Sequence, residues 1–228
     1  HEAEKNVPYG VYRYLDNRYF RFPEWLRYHA AADGFWILTE KFDLRGNLAY
    51  DSYQDRLISY TNASFNENSI SFNSKLENFT YSTAWTGTYK PGNAHVFSFG
   101  LNSTEFVLEK KPDLDQKWIE HHTNTSSLYL EDMYQPADGT SFRMGIGSNL
   151  FSQGNKTLRN YFAFSILADH KILSKIMLNA GLSKMQRFPT LNSLYSQDYG
   201  NPDLKPEDGI KYEMGVSGKF SVPGFPIN

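Results

Sequence analysis

The sequence predicts an all-β chain: a long antiparallel, up-and-down sheet with one apolar and one polar face. Three observations carry this. Apolar and polar residues alternate with a period of two through most of the chain, as they do where successive side chains point to opposite faces of a strand. The chain is polar on average, with a mean hydropathy of -0.57, yet 16% of its residues are aromatic; disordered chains lack such rings, and half-wetted sheets are rich in them. The connections between the alternating runs switch regularly between short and long.

The runs can be taken in order. The first is predicted over Leu26 to Leu38, with Asp33-Gly34 as an alternative hairpin turn. Around Leu44, the side chains of Leu48 and Tyr50 oppose Arg45, Asn47 and Asp51. "TYSTAWTGTYK" sets Tyr81, Trp85 and Tyr89 against Thr80, Ser82, Thr86 and Thr88, and "HVFSFGLN" sets Phe97, Phe99 and Leu101 against Ser98, Gly100 and Asn102. Phe142, Met144 and Ile146 oppose Arg143, Gly145 and Gly147. "YFAFSIL" puts Phe162, Phe164 and Ile166 on one side; Ile172, Ile176, Leu178, Ala180 and Leu182 form the next apolar face. Last, Ile210, Tyr212, Met214 and Val216 oppose Lys211, Glu213, Ser217 and Lys219.

Short turns are expected at "TEKFD", "KPGNA", "QPADGT" and "ADHK", and long polar loops over 59–78, 111–124, 151–160 and 188–208. Alternating in this way, all short turns fall at one end of the sheet and all long loops at the other. Strands of about ten or more residues with that asymmetry build transmembrane barrels, whereas sandwich strands run nearer five or six. Trp36, Tyr89, Tyr134, Tyr161 and Phe220 suit interfacial girdles. A soluble β-sandwich, with the apolar face packed on a second sheet, stays open on alternation alone.

Composition excludes several classes. Lys+Arg number 23 and Asp+Glu 25, a net charge of -2, so no basic field is present to hold nucleic acid. With no Cys there is no disulfide framework, thiolate metal site or cysteine nucleophile. No apolar run reaches the roughly 18 residues of a membrane-spanning helix. The opening "HEAEKNVPYG" is unlike a signal peptide, and the chain is expected to begin inside something larger or to have been processed. His121-His122 carries no carboxylate at helical spacing, Glu131 and Asp132 point to opposite faces of a strand, and "GIGSNLF" lacks the helix a phosphate site needs. No catalytic residue, metal site or cofactor motif is expected.

At "RFPTLNSLY", "YGNPDLKPE" and the strand that follows, the chain resembles the late-barrel signature of TonB-dependent outer-membrane receptors. The matching residues are Arg187, Pro189, Leu194, Tyr195, Gly200, Asn201, Pro202, Leu204, Lys205, Pro206, Glu207, Tyr212, Glu213 and Gly215. "HVFSFGLNSTE" and "SSLYLEDMYQPADGTSFRMGIGSN" are similar to earlier strands of the family, and the likeness runs well from Thr80 to Phe220. It implies a bacterial outer-membrane transport receptor, not an enzyme, taking up a scarce small-molecule ligand: a ferric siderophore first, or a cobalamin or glycan. It implies outer-membrane lipid and the TonB complex as partners.

The family's plug domain and closing aromatic strand have no counterpart here, so residues 1–228 are expected to be one partial, incomplete barrel domain. About nine strands in 228 residues agree with this: the roughly 22 strands of such transporters need on the order of 550 residues. Ligand contact is expected from rim and lumen side chains, with Arg187, Tyr195, Tyr199, Trp118 and Tyr12 as candidates; rings and guanidinium groups suit such ligands. The prolines and Gly200-Asn201 are read as stiffening the loop. The five Asn-x-Ser/Thr triplets, at Asn62, Asn78, Asn102, Asn124 and Asn155, are read as chance. The alternative function is an extracellular β-sandwich that binds carbohydrate.

Overall fold

A computed structural model describes residues 5–6, 19–154, 159–173, 176–196 and 200–218. A two-residue strand β1 (Lys5–Asn6) is followed by nine long ones: β2 (Tyr19–Thr39), β3 (Phe42–Tyr60), β4 (Ile70–Tyr89), β5 (His95–Lys111), β6 (Ile119–Ala137), β7 (Thr140–Gln153), β8 (Arg159–Leu173), β9 (Ile176–Arg187) and β10 (Glu207–Gly218). They form one sheet in strict sequence order, every pair antiparallel. This is the up-and-down order expected, and it is open. It rules out the sandwich, because no second sheet lies against the apolar face among the described residues. Ile210, Tyr212, Met214 and Val216 are 58%, 77%, 91% and 71% exposed.

The register joins the apolar residues into a band that crosses the sheet. Trp36, Leu44, Gly87, Phe99, Leu130, Ile146, Phe164 and Lys184 are successive cross-strand partners. The neighbouring row runs from Trp85 through Leu101 and Leu128. Stacked rings mark the short-turn edge: Trp36 on Trp85 (5.8 Å between centroids, 14° between planes) and Phe42 on Phe99 (5.9 Å, 12°). Trp85 lies over Gly46, where a Cβ would come within 2.6 Å of the indole; the glycine is the seat that lets the ring lie flat. On the same face, His95 stacks on Tyr134 (4.6 Å) and meets Asp132 at 2.9 Å, so the one carboxylate inside this row is hydrogen-bonded.

Register also measures the band. Phe42 pairs with Tyr89 and Tyr50 with Tyr81. Counting both row residues, Phe42 to Tyr50 is nine residues, the lower end of the roughly nine to eleven that a tilted strand needs to cross hydrocarbon. The strands are longer than that, up to 21 residues in β2, and the excess lies beyond Tyr50 and Tyr81, toward the long loops. The connections keep the predicted alternation: 40–41, 90–94, 138–139 and 174–175 at one end, and 61–69, 112–118, 154–158 and 188–206 at the other.

Several local expectations are corrected. Asp33-Gly34 is not a turn; the two residues pair with Asn47 and Gly46 in mid-strand. "ADHK" lies inside β8, because Asp169 accepts the Ser141 hydroxyl (3.2 Å) and His170 bonds Thr140 (3.0 Å) across to β7. Ile172 consequently belongs to β8 and not to the strand after it. The first two long loops are shorter than expected, since β3, β4, β5 and β6 run on into them. Tyr161 pairs with Asn149 on the polar face and is no girdle residue. Phe220 and Lys219 lie outside the described residues.

Candidate functional site

The polar face of the sheet has two textures. On β2 and β3 it carries long polar side chains held in pairs. Arg27 donates through Nε and Nη2 to Asp51 Oδ2 (3.1 and 3.0 Å), and Asn47 donates to Asp33 (2.7 Å). From β4 onward it is paved mainly with small residues, including Thr86, Ser98, Ser127, Gly145, Gly147, Ala163, Ser165, Gly181 and Ser183. Tyr129 lies over Gly100 and shares a hydrogen bond with Thr86 (2.9 Å).

Above the band on the β2–β3 wall, and so outside the hydrocarbon, Trp25 Nε1 donates to Tyr53 Oη (3.0 Å), which donates to Asp55 Oδ2 (2.6 Å). Burial, and then the hydrogen bond to Asp55, pushes the Tyr53 phenol up to about 12. Burial raises the Asp55 carboxyl above its ordinary value, and the Tyr53 hydroxyl offsets part of that.

Residues 188–196 and 200–206 close over the polar face at the long-loop end. Phe188 stacks on Phe151 of β7 (5.1 Å, 16°) and meets Tyr161 of β8 edge-on (5.6 Å). Thr190 caps a short helix α1 (Leu191–Tyr195), its Oγ1 accepting from the Ser193 N–H (3.2 Å). The helix drives Leu194 to complete burial. Tyr195 lies flat on His121 of β6 (3.7 Å, 9°). Gln153 Nε2 donates both to Tyr195 Oη (2.9 Å) and to the Pro202 carbonyl (3.0 Å), tying the two halves of the loop together. At Gly200 a Cβ would fall 2.5 Å from the Ser196 backbone, so no larger residue fits. Asn201 accepts the Asp203 N–H (3.0 Å) in a turn of its own making. Burial, and then the positive charge of Lys110, lowers the His121 pKa and favours the neutral ring.

The comparisons with known proteins agree with this geometry. Residues 4–225 match the family described as "TonB dependent receptor-like, beta-barrel". The chain belongs to the TonB-dependent receptor family. It is a β-barrel segment of a bacterial outer-membrane protein, and its family is made of transporters and receptors, not enzymes. It is 24% identical over 162 residues to the vitamin B12 transporter BtuB of Photobacterium profundum, a match that takes in 71% of this chain and 25% of that one. The chain therefore spans about a quarter of that relative's length. Among solved structures it resembles the copper transporter OprC (TM-score 0.74, 10% identity, 89% of this chain and 37% of that one). It also resembles the ferric enterobactin receptor PfeA of Pseudomonas aeruginosa (TM-score 0.63, 17% identity, 88% and 33%). In a barrel of this family the apolar band faces lipid, the polar face lines the lumen, and the long loops stand outside the cell.

The candidate ligand residues separate in this frame. Arg187 ends β9, exposed, with Glu207 as its strand partner, and its neighbour Gln186 accepts from Asn149 of β7 (2.8 Å). Trp118 stands 44% exposed just before β6. Tyr195 is committed to His121 and Gln153. Tyr199 and Tyr12 lie outside the described residues. His121 and His122 point to opposite faces, one to Tyr195 and the other toward Glu120 (3.8 Å), so the pair cannot share an ion. Glu131 and Asp132 likewise diverge, to Arg143 (3.6 Å) and to His95. Sequence reasoning missed Phe151, Gln153 and Arg159 at the outer mouth. Tyr161 belongs with them, and a signal for it exists: Phe162, Phe164 and Ile166 on the lipid face put Tyr161 on the other one.

Proposed function

We propose that this chain is the middle-to-late barrel wall of a TonB-energised importer that carries a ferric siderophore across the outer membrane. The carrying observation is the braced outer mouth, where the 188–206 loop holds aromatic and cationic side chains over the lumenal face. The fold-level likeness to a ferric enterobactin receptor supports a ferric ligand, and the BtuB relative makes cobalamin the comparison to run. On this reading 1–228 is one partial barrel domain, the plug lies elsewhere in the whole protein, and TonB acts through it. Arg187 and Trp118 reach toward the ligand, while Tyr195 holds the loop.

The test is uptake of radiolabelled iron by the full-length protein in cells stripped of their own siderophore receptors, with and without a functional TonB. Iron uptake that requires TonB is the expected result. Uptake of labelled cobalamin with no iron uptake would replace the ligand assignment, and iron uptake unaffected by loss of TonB would overturn the energisation.

A further inference from the structure

We propose that the lipid face of β5–β7 carries a phospholipid site at the short-turn end, where His95 donates to the headgroup phosphodiester and an apolar hollow beside it takes an acyl chain. Such a site depends only on which face meets lipid and which end is periplasmic, whatever ligand the protein imports.

The site begins with a charge on the lipid side. Asp132 stands in the inner aromatic row, with Phe97, Tyr89 and Phe42 as successive partners in one direction and Met144 and Ile166 in the other. An ionisable group facing lipid is costly, and where one persists it is paired and put to use. Its partner is His95 at the start of β5, whose Nδ1 lies 2.9 Å from Oδ2 and 3.1 Å from Oδ1. Two rings fix the plane of the imidazole: Tyr134 at 4.6 Å and 21°, and Phe97 at 5.7 Å and 6°. The outer edge of the imidazole stays open. The His95 side chain is 41% exposed, and its Nε2 has no hydrogen-bond partner among the described residues. A ring that carries both protons gives Nδ1–H to Asp132 and has Nε2–H left for an acceptor outside the protein.

The leaflet supplies that acceptor. The short turns of such a barrel are periplasmic, so His95 stands at the headgroups of the inner leaflet, which is built of glycerophospholipids. The group they share at that depth is the phosphodiester, an oxyanion suited to a charge-assisted bond from an imidazolium. Along β6 the same face continues from Asp132 to Leu130 and Leu128. There it opens into a hollow of about 670 Å³ walled by Trp85, Phe99, Leu101, Leu128, Leu130 and Ile146. Its floor includes Gly87, on which the Phe99 ring lies so closely that a Cβ would come within 2.4 Å of it. A polar clamp and an apolar trough in line along one strand match the two parts of a phospholipid. His170, on the same face of β8, bonds the neutral Thr140 (3.0 Å) and lies outside the hollow.

The test is lipid retention by the full-length protein, read by native mass spectrometry from detergent. The probes are dioleoyl phosphatidylethanolamine and a dioleoyl galactolipid, which has the same chains and no phosphodiester; inorganic phosphate is the competitor. Losing one charge-assisted hydrogen bond costs roughly 10-fold in affinity. His95→Phe keeps a ring on Tyr134 and should weaken the tightest phosphatidylethanolamine by that factor, His95→Arg should hold it, and His170→Gln should leave it unchanged. Galactolipid binding should be the same in all three, which also shows that they are folded. Unchanged phosphatidylethanolamine in His95→Phe would overturn the site, as would its loss from His95→Arg while galactolipid binding stands. Displacement of the lipid by phosphate would give the clamp to a soluble anion instead. A dimer that His95→Phe dissolves would give this face to a second copy of the protein.

Discussion

Each long strand is two different objects along its length. Between the Phe42–Tyr89 and Tyr50–Tyr81 rows the sheet buries almost nothing. Beyond them, toward the long loops, lie Ile58, Tyr60, Leu108, Phe151 and Leu194, all at most 9% exposed. The difference follows from solvent. In hydrocarbon an exposed Met or Ile is already satisfied, so the paired backbone and the lipid do the stabilising. In water the same long strands need cores of their own: Tyr60 of β3 packs on Phe65 of the 61–69 connection (5.1 Å), and Phe188 folds onto Phe151 of the lumenal wall (5.1 Å). The lipid half is held by register, the outer half by packing.

The largest expected effect separates the halves from the outer side. Leu194→Ala removes the only hydrophobic side chain with no exposure among the described residues, at a cost of roughly 2–5 kcal/mol to the loop. Hydrogen exchange should accelerate over 188–206 and along the adjoining ends of β6 and β7, while amides in the band stay protected. Acceleration throughout the sheet would mean that the two halves are one cooperative unit.

From the lipid side, Met214→Arg or Ile146→Arg in the whole barrel should cost about 2–4 kcal/mol, since the charge meets hydrocarbon. Ser217→Arg, on the opposite face of β10, should escape that penalty. Folding titrations in lipid vesicles measure both. Gly147→Arg is the poorer lumenal control, because a Cβ there would sit 3.1 Å from the Leu128 carbonyl.

Smaller effects sharpen the picture of the outer half. Tyr195→Phe leaves the His121 stack and removes the oxygen that Gln153 donates to, a loss of about 1 kcal/mol in loop protection. A null result would mean that the stack alone holds the loop. Asp55 gives a pH signature. Its carboxyl is raised in the folded state, so its contribution to stability is fully present below the ordinary carboxyl value of 3.8 that the unfolded chain keeps. That contribution is lost as pH rises through the raised folded value. Asp55→Asn should therefore stabilise the outer part of β2–β3 at pH 7 and make no difference below the unfolded value. Destabilisation at pH 7 would show that the charged form is the one the fold prefers.

The same division decides what could be read in the sequence. Strand phase was legible wherever lipid enforces it: Tyr81, Trp85 and Tyr89, or Phe142, Met144 and Ile146, each fall on the face that alternation assigns. Where both faces meet water, alternation disappears although the ladder continues. Residues 70–78 read as loop because their side chains are mixed, yet Asn73 accepts from Arg56 (2.9 Å) and Lys75 reaches Glu77 (3.0 Å) on a continuous strand. Asp169 and His170 look like turn residues for a similar reason, since their polar partners on β7 are far off in sequence. The outer mouth was half legible. The loop signature located the 188–206 brace, but Gln153, Phe151 and Arg159 come to it from β7 and β8 through pairings that no local pattern announces.

Which face of the sheet meets lipid decides the rest. Residues 1–228 contain no cysteine; with any cysteine elsewhere in the full-length barrel replaced by serine, single cysteines can be placed in turn from Phe142 to Asn149, labelled with a fluorophore and reconstituted in vesicles. The labels at Phe142, Met144 and Ile146 should be quenched by brominated lipid, and those at Arg143, Gly145 and Gly147 by aqueous iodide, alternating residue by residue. The reverse alternation, or equal quenching of both sets, would contradict the assignment of faces and with it the lumenal position of the outer mouth.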